Sequence, residues 1–182
     1  MFYFHTCKTT SGRRFVEQNA PFLSRANGPK KWQWLSQGYY FWTDVDYFAH
    51  IWGRDSYNND YAIVRCQITI NSDIVLDLAA NVEHSLYFKG LAEAYQKKIQ
   101  KVNPNEIPTV STVIEHYRKA AEKNKEIFPF EAIRAVDCSP TAPKLKFAPD
   151  AMGFMTTIPR LQFCLFQSSR NAITSKEIYH FS

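Results

Sequence analysis

The stretch Gly38-Tyr39-Tyr40-Phe41-Trp42-Thr43-Asp44 organises the chain. Its four consecutive aromatic residues, 39–42, favour a largely buried strand, and the glycine before them permits a turn or the close approach of another backbone. Asp44 is placed to cap a following helix. The apolar face of that helix carries Tyr47, Phe48, Ile51 and Trp52. These residues form either a core strand with its packing helix or an aromatic-walled pocket for a flat, polar ring.

Length and composition predict one globular domain over residues 1–182. Of these residues 45% are hydrophobic and 21% are charged, which is ordinary for a protein with a buried core. No run approaches about 18 apolar residues, and the opening Met-Phe-Tyr-Phe-His lacks the basic and apolar regions of a secretory signal. We therefore expect a cytoplasmic protein with no membrane contact.

The cysteines form no metal-binding pattern. Cys7, Cys66, Cys138 and Cys164 are widely separated and include no Cys-x-x-Cys pair. Zinc sites use closely spaced pairs of ligands, whereas isolated thiols are typical of reduced intracellular proteins. The sequence predicts reduced thiols and no metal.

The charge balance is mild evidence for an acidic partner. The formal net charge is +5 and the isoelectric point is about 9.0, and a positive surface attracts phosphates over a Debye length or more. The basic residues collect in short groups: Arg13-Arg14, Lys30-Lys31, Lys97-Lys98 with Lys101, and Lys144 with Lys146. Solvated surface charge is the usual explanation for each group, and the charge alone does not identify the partner.

Strand and helix patterns are mixed along the chain. Strand-like segments cover residues 2–6, 39–42, 61–70, 74–78, 130–136 and 161–166, and helical patterns cover 91–102 and 111–125. In the last strand, Phe163 and Leu165 alternate with Gln162, Cys164 and Phe166, which predicts two different faces. The turn 71–73 predicts a hairpin between segments 61–70 and 74–78. Because there is no βαβ rhythm and no glycine-rich phosphate loop, the class is α+β, without a P-loop or Rossmann site.

Three segments together resemble the signature of the ADP-ribosyltransferase superfamily. They are a strand ending in His5, the Gly-x-Tyr-Phe strand 38–41 running into a helix with Ala49 and Trp52, and a late strand opening with Gln162. The pattern is similar to the H-Y-E branch, which includes the diphtheria-toxin-like enzymes and the poly-ADP-ribose polymerases. The strands 62–70 and 74–78 look like the pair that follows the helix in that family, so the resemblance covers most of the chain in order.

The resemblance implies a fold and a site. The fold would be a split, mostly antiparallel β-sheet core with flanking helices, in which His5, Tyr40 and Gln162 converge on one cleft as the catalytic residues. His5 would hydrogen-bond the nicotinamide-side ribose of NAD, and Tyr40 would stack on the nicotinamide ring. The residues implied in NAD binding are His5, Thr6, Arg13, Arg14, Gly38, Tyr40, Tyr47 and Trp52.

The resemblance also implies which part of NAD several of these residues would contact. Trp52 or Tyr47 would supply the second wall of the nicotinamide pocket, because a cationic pyridinium is well held between electron-rich ring faces. Arg13 and Arg14 would meet the pyrophosphate by charge-assisted hydrogen bonds. The backbone of Thr6 would bind the carboxamide.

The sequence departs from the family pattern at two positions. Thr6 replaces the glycine that usually follows the histidine, and Gln162 stands where the third motif normally opens with glutamate. A neutral amide can hydrogen-bond a ribose hydroxyl, but it lacks the charge that stabilises an oxocarbenium-like transition state. A nucleophile supplied by the target is therefore the easier chemistry.

The function implied is a mono-ADP-ribosyltransferase of the small, free-standing bacterial toxin type, as in toxin–antitoxin or phage-defence systems with an antitoxin protein. Nucleic acid is slightly favoured over protein as the acceptor, its phosphates meeting Arg13, Arg14, Lys30 and Lys31. The alternative is a catalytically inactive module of the same fold that binds ADP-ribose or nucleic acid. A third possibility is a structural or interaction domain whose aromatic strand is core.

Overall fold

The computed structural model describes residues 1–25, 33–139, 142–150 and 152–182. In those ranges the strands are β1 Tyr3–Lys8, β2 Gly38–Thr43, β3 Tyr61–Ile68, β4 Val75–Asp77, β5 Ala132–Asp137, β6 Lys144–Lys146, β7 Phe154–Thr156, β8 Arg160–Phe166 and β9 Ile173–Phe181. The α-helices are α1 Arg13–Asn19, α2 Tyr47–Tyr57, α3 Val82–Gln100 and α4 Val110–Ala121. No helix in the described ranges has the length and apolar character needed to cross a membrane.

Seven of the strands form one mixed sheet in the order β4-β5-β8-β2-β1-β3-β9. Every pair in it is antiparallel except β4 and β5, which are parallel. Strands β6 and β7 form a separate two-stranded hairpin. The predicted α+β class and mostly antiparallel sheet are confirmed, and the three strands that carry the family-like motifs, β1, β2 and β8, are neighbours in the middle of the sheet.

The predicted hairpin between segments 61–70 and 74–78 is wrong. These segments form β3 and β4, which have four strands between them. The turn residues do form a tight turn, in which Asn71 accepts a hydrogen bond from the Asp73 amide, but β4 then pairs with β5. A local turn pattern encodes the turn and not the partner of the strand that follows it.

The short link between β3 and β4 also requires a strongly curled sheet. Fully extended, residues 69–74 with their two flanking peptides would span at most about 24 Å, which only equals the strand spacings to be crossed in a flat sheet, about 24 Å. The link is shorter than this, because Ser72–Ile74 form a 3-10 turn. Ile70 at one end of the link and Val75 at the other pack against the same apolar core. The two edges of the sheet are therefore drawn toward each other.

The sheet has two faces, which we name after adjacent residues of β2. The Phe41 face carries the core residues Cys7, Phe41, Val64, Cys66, Phe163 and Leu165 and is covered by Val16 of α1. The Tyr40 face has one apolar cluster with Ala49 of α2 and a second with Ile114 of α4. The predicted alternation of β8 is confirmed, because Phe163 and Leu165 lie in the first core and Cys164 and Phe166 in the second.

Gly38 lies where β2 and β8 approach closely. A Cβ atom at this position would lie 2.5 Å from Cys164 Sγ and 2.6 Å from the carbonyl oxygen of Leu165. The prediction that Gly38 permits another backbone to come close is confirmed.

Helix α2 packs through its small residues and through Phe48, which is half-buried against the Trp42 cluster. Its buried residues are Ala49 and Gly53, whereas Tyr47 and Trp52 are 50% and 41% exposed. The helix begins after Asp46, and Asp44 has a left-handed backbone with φ of 71°. The prediction of a cap at Asp44 is wrong, because the helix begins after Asp46. Of the predicted aromatic face only part is buried, because close packing of α2 on β3 selects small side chains and leaves Tyr47 and Trp52 exposed.

Gly53→Ala is expected to destabilise the protein by about 1–3 kcal/mol, the usual cost of overpacking. A Cβ at Gly53 would lie 2.3 Å from the ring of Tyr61, so α2 or the ring must move. Gly90→Ala in α3 is the matched control, since nothing lies within 4 Å of its Cβ position, and it should be neutral or stabilising by up to about 1 kcal/mol. Urea unfolding of both variants checks this. Equal free energies of unfolding would refute the packing argument.

Candidate functional site

The sheet opens between β1 and β2, and the His5 side chain occupies the opening. Strand β1 pairs with β3 at every residue from Tyr3 to Lys8 but with β2 only at Tyr3 and Phe4. Just beyond that point, His5 Nδ1 lies 2.9 Å from the carbonyl oxygen of Tyr40. The Phe22 amide donates to His5 Nε2 at 3.1 Å. Because Nε2 accepts, Nδ1 must carry the proton and donate, which defines one neutral tautomer.

The prediction that His5 converges with Tyr40 and Gln162 is wrong. The His5 ring centre lies 5.9 Å from that of Phe41 and 6.2 Å from that of Phe22, so it belongs to the Phe41 face. Adjacent residues of a strand point to opposite faces, and the side chain of Tyr40 is therefore turned away from it. Burial lowers the pKa of His5 to about 4, and the ring stays neutral.

Tyr40 is fixed by the loop that precedes β2. Its hydroxyl accepts a hydrogen bond from the Leu35 amide at 2.9 Å and donates to the carbonyl oxygen of Ser36 at 2.8 Å. Arg118 of α4 holds the same loop by donating to Ser36 Oγ and to the carbonyl oxygen of Gln37, both at 2.9 Å. Burial raises the pKa of Tyr40, so the phenol is a neutral hydrogen-bonding group.

Gln162 lies on the same face as Tyr40, as predicted. It is opposite Trp42 in the β2–β8 pairing and is only 8% exposed. Its Oε1 accepts a hydrogen bond from the indole Nε1 of Trp34 at 3.0 Å. Trp34 thus joins the loop before β2 to the strand that carries Gln162.

An aromatic cluster of Trp42, Phe48 and Trp52 lies beside Gln162. The ring of Trp42 is 5.6 Å from that of Phe48 and 6.2 Å from that of Trp52, between centres. Tyr47 stands edge-on to Phe48 at 5.1 Å. Of the two residues predicted as pocket walls, Trp52 belongs to this cluster and Tyr47 adjoins it; both are exposed, where a planar ligand can reach them.

Arg160 adds a cation to this cluster. Its guanidinium lies 5.7 Å from the Trp42 ring centre and 5.9 Å from that of Phe48, and Nη2 pairs with Asp137 at 3.0 Å. Its Nε is buried and has no hydrogen-bond partner among the described residues. Sequence reasoning missed Arg160, although its position two residues before Gln162 places both on one face of a strand.

The remaining predicted site residues lie elsewhere or are already bonded. Arg13 lies 5.6 Å from the ring of Phe181 and lines a cavity of about 210 Å³ between α1 and β9. Arg14 is exposed on α1. Thr6 Oγ1 donates to the carbonyl oxygen of Ala49 at 3.0 Å. Lys30 and Lys31 lie outside the described residues. The structure does not bring Arg13 together with Tyr40 and Gln162, because α1 covers the opposite face of the sheet.

Comparisons with protein-family models, with curated proteins and with solved structures find no match to this chain. Its function must therefore be argued from the Tyr40 face itself. That face combines a buried amide, an unpartnered guanidinium nitrogen and partly exposed aromatic rings.

Proposed function

We propose that the chain binds NAD on the Tyr40 face and transfers its ADP-ribose to a macromolecular acceptor. The observation that carries this proposal is the placement of Tyr40 and Gln162 on one face of neighbouring central strands, beside Arg160 and the aromatic cluster. Tyr40 and Gln162 are far apart in the sequence, so their placement on one face depends on the fold and not on a local sequence pattern.

The nicotinamide ring and the pyrophosphate of NAD each have a matching group on this face. The pyridinium stacks against the exposed ring of Trp52, where a cation–π contact contributes about 0.5–2 kcal/mol. The pyrophosphate meets the guanidinium of Arg160, whose side chain is 26% exposed and can supply a charge-assisted hydrogen bond. Arg160 takes the role that the sequence assigned to Arg13 and Arg14.

The transfer breaks one bond and forms one. The bond between the ribose C1′ and the nicotinamide nitrogen breaks, and nicotinamide leaves with the electron pair. The acceptor nucleophile then bonds to C1′ and loses its proton to solvent. Gln162 hydrogen-bonds the ribose without adding negative charge, which favours an acceptor that brings a good nucleophile of its own. His5 supports the site indirectly, by holding the carbonyl of Tyr40 at the opening of the sheet.

The acceptor we favour is a nucleic acid, because the net charge of +5 draws phosphates. A base amine would be the nucleophile, and a protein acceptor is the competing outcome. Such an activity fits a bacterial toxin of a toxin–antitoxin or phage-defence system, acting in the cytoplasm and neutralised by a protein antitoxin.

The second candidate is a module that binds ADP-ribose or nucleic acid without turnover. Two observations favour it. His5 is turned away from Tyr40, and the third motif offers the neutral amide of Gln162, whose oxygen is already bonded to Trp34. Neither arrangement prevents ligand binding, but both leave fewer side chains available for catalysis.

Incubation with NAD labelled separately in the nicotinamide and in the adenylate separates the two candidates. The transferase releases nicotinamide and leaves adenylate label on RNA, DNA or protein added to the assay. The binding module retains both labels together in a saturable complex. Absence of both release and binding would reject the site and leave a structural role for the aromatic strand.

A further inference from the structure

The contact between Trp34 and Gln162 determines which way the Gln162 amide points. An indole N–H can only donate, and an amide offers one accepting oxygen and one donating NH₂ group. With Trp34 Nε1 at 3.0 Å, only the oxygen of Gln162 can face the indole. The NH₂ group must then lie on the other side of the amide.

That NH₂ group has no acceptor among the described residues. Gln162 is nevertheless buried, opposite Trp42 and close to the aromatic cluster. The NH₂ nitrogen itself is not among the buried unpartnered side-chain atoms of the described residues, so it keeps some accessible surface and a ligand can reach it.

A cationic hydrogen-bond donor, Arg160, lies on the same strand face. Arg160 Nε is buried without a partner, and residues two apart on a strand are separated by about 7 Å. The Arg160 guanidinium pairs with Asp137 through Nη2, and the Arg160 side chain is 26% exposed. The Gln162 NH₂ group and the Arg160 guanidinium thus supply hydrogen-bond donors on one face of β8.

The geometry points to a subsite for a ligand oxygen that accepts hydrogen bonds, formed by the Gln162 NH₂ group and the Arg160 guanidinium and oriented by Trp34. Gln162 meets the ligand as a donor, so it contacts an oxygen lone pair and not a hydroxyl proton. The ligand group is a phosphate oxygen or a ribose oxygen next to a phosphate. This inference rests on the proposed function for the identity of the larger ligand, NAD, but the donor pair stands on the contacts of Trp34, Gln162 and Arg160.

The role of the Gln162 amide differs from that of the glutamate in the family-like motif. A carboxylate accepts hydrogen bonds from ribose hydroxyls, whereas the Gln162 amide held by Trp34 has only donors to offer. Gln162→Glu is therefore expected to weaken binding and not to restore a stronger enzyme. The carboxylate would repel the phosphate that the amide attracts.

Two variants of Gln162 test the inference in the full chain. Gln162→Glu retains an oxygen for Trp34 and loses the NH₂ donors, and Gln162→Leu loses both. The indole N–H resonance of Trp34, identified by its loss in Trp34→Phe, should shift upfield and exchange with solvent at least 10-fold faster in Gln162→Leu. It should stay protected in Gln162→Glu. An unchanged resonance in Gln162→Leu would show that Trp34 does not orient the amide.

Affinities for ADP-ribose and for inorganic pyrophosphate complete the test. Both variants should bind ADP-ribose about 10-fold or more weakly than the wild type. If the ligand atom that accepts the hydrogen bond is a phosphate oxygen, the affinity for pyrophosphate falls in parallel. If it is a ribose oxygen, only the affinity for ADP-ribose falls. Wild-type affinity for both ligands in Gln162→Glu would overturn the donor role. Pyrophosphate binding that depends on Gln162, in a protein that neither binds nor cleaves NAD, would retain the subsite and reject the proposed transfer.

Discussion

Tyr40→Phe is expected to lower the free energy of unfolding by about 2–4 kcal/mol. The stacking role inferred from sequence alone predicts that this change is tolerated, because it keeps the ring. The hydroxyl, however, bonds to the Leu35 amide and the Ser36 carbonyl, and Leu35 and Ser36 are fully buried. Each backbone group left without a partner costs about 1–3 kcal/mol.

Tyr39→Phe is the matched control for this prediction. Tyr39 is also buried, at the adjacent position of β2, but its hydroxyl makes no hydrogen bond to a described residue. We expect its free energy of unfolding to stay within about 1 kcal/mol of the wild type. Urea unfolding measures both variants, and equal midpoints for Tyr40→Phe and the wild type would show that the phenol does not hold the loop.

His5 is expected to make the protein acid-sensitive. Its folded pKa is about 4, below the unfolded value of about 6.5. Above pH 6.5 both states are neutral at this residue and its contribution to stability is fully present. As the pH falls toward 4 the unfolded state takes up a proton that the folded state excludes, so stability falls by about 1.4 kcal/mol per pH unit, or about 3 kcal/mol in all. Below that pH the folded state also protonates and the loss levels off.

The comparison of wild type with His5→Asn isolates this effect. The asparagine NH₂ group can still donate toward the Tyr40 carbonyl, but it does not titrate. The free energy of unfolding, measured from pH 7.5 to pH 4.5, should fall more steeply in the wild type over the window from pH 6.5 to 4.5. The weaker lowering of the pKa of His116 and His180 contributes equally to both proteins. Parallel curves would mean that His5 titrates in the folded state near its ordinary pKa.

The sequence predicted the central strands well because their patterns are local. Four adjacent aromatics identified β2, the alternation in 61–70 identified β3, and the alternation in 161–166 assigned the two faces of β8 correctly. Gly38 was also interpreted correctly, since only a residue without a Cβ fits against Cys164.

The failures concern which segments meet, and register decides each of them. The pairing of Phe4 with Trp42 sets the face of every residue in β1, and a shift of one residue would bring His5 to the Tyr40 face. No property of the segment around His5 encodes that pairing. The prediction for helix α2 also failed on a contact between segments, because the packing of α2 on Tyr61 selects Gly53 over larger apolar residues.

Arg160 illustrates what the sequence could have offered. It lies one residue before the predicted strand 161–166, and β8 in fact begins at Arg160; a strand extended by that one residue would have placed a cation on the face of Gln162. Trp34 could not have been found in this way, because its contact with Gln162 joins residues far apart in the chain.

Titration calorimetry of NAD against the wild type, Arg160→Gln and Arg13→Gln tests most directly whether the Tyr40 face is the NAD site. Arg160 lies on that face beside the aromatic cluster, and Arg13 lies on α1 beside Phe181. We expect the wild type to bind NAD and Arg13→Gln to bind it normally. Arg160→Gln should bind it at least 10-fold more weakly, as expected for a charge-assisted contact of about 1.5–3 kcal/mol. A wild type that does not bind NAD, or a loss of affinity in Arg13→Gln and none in Arg160→Gln, would contradict the assignment of the Tyr40 face as the NAD site.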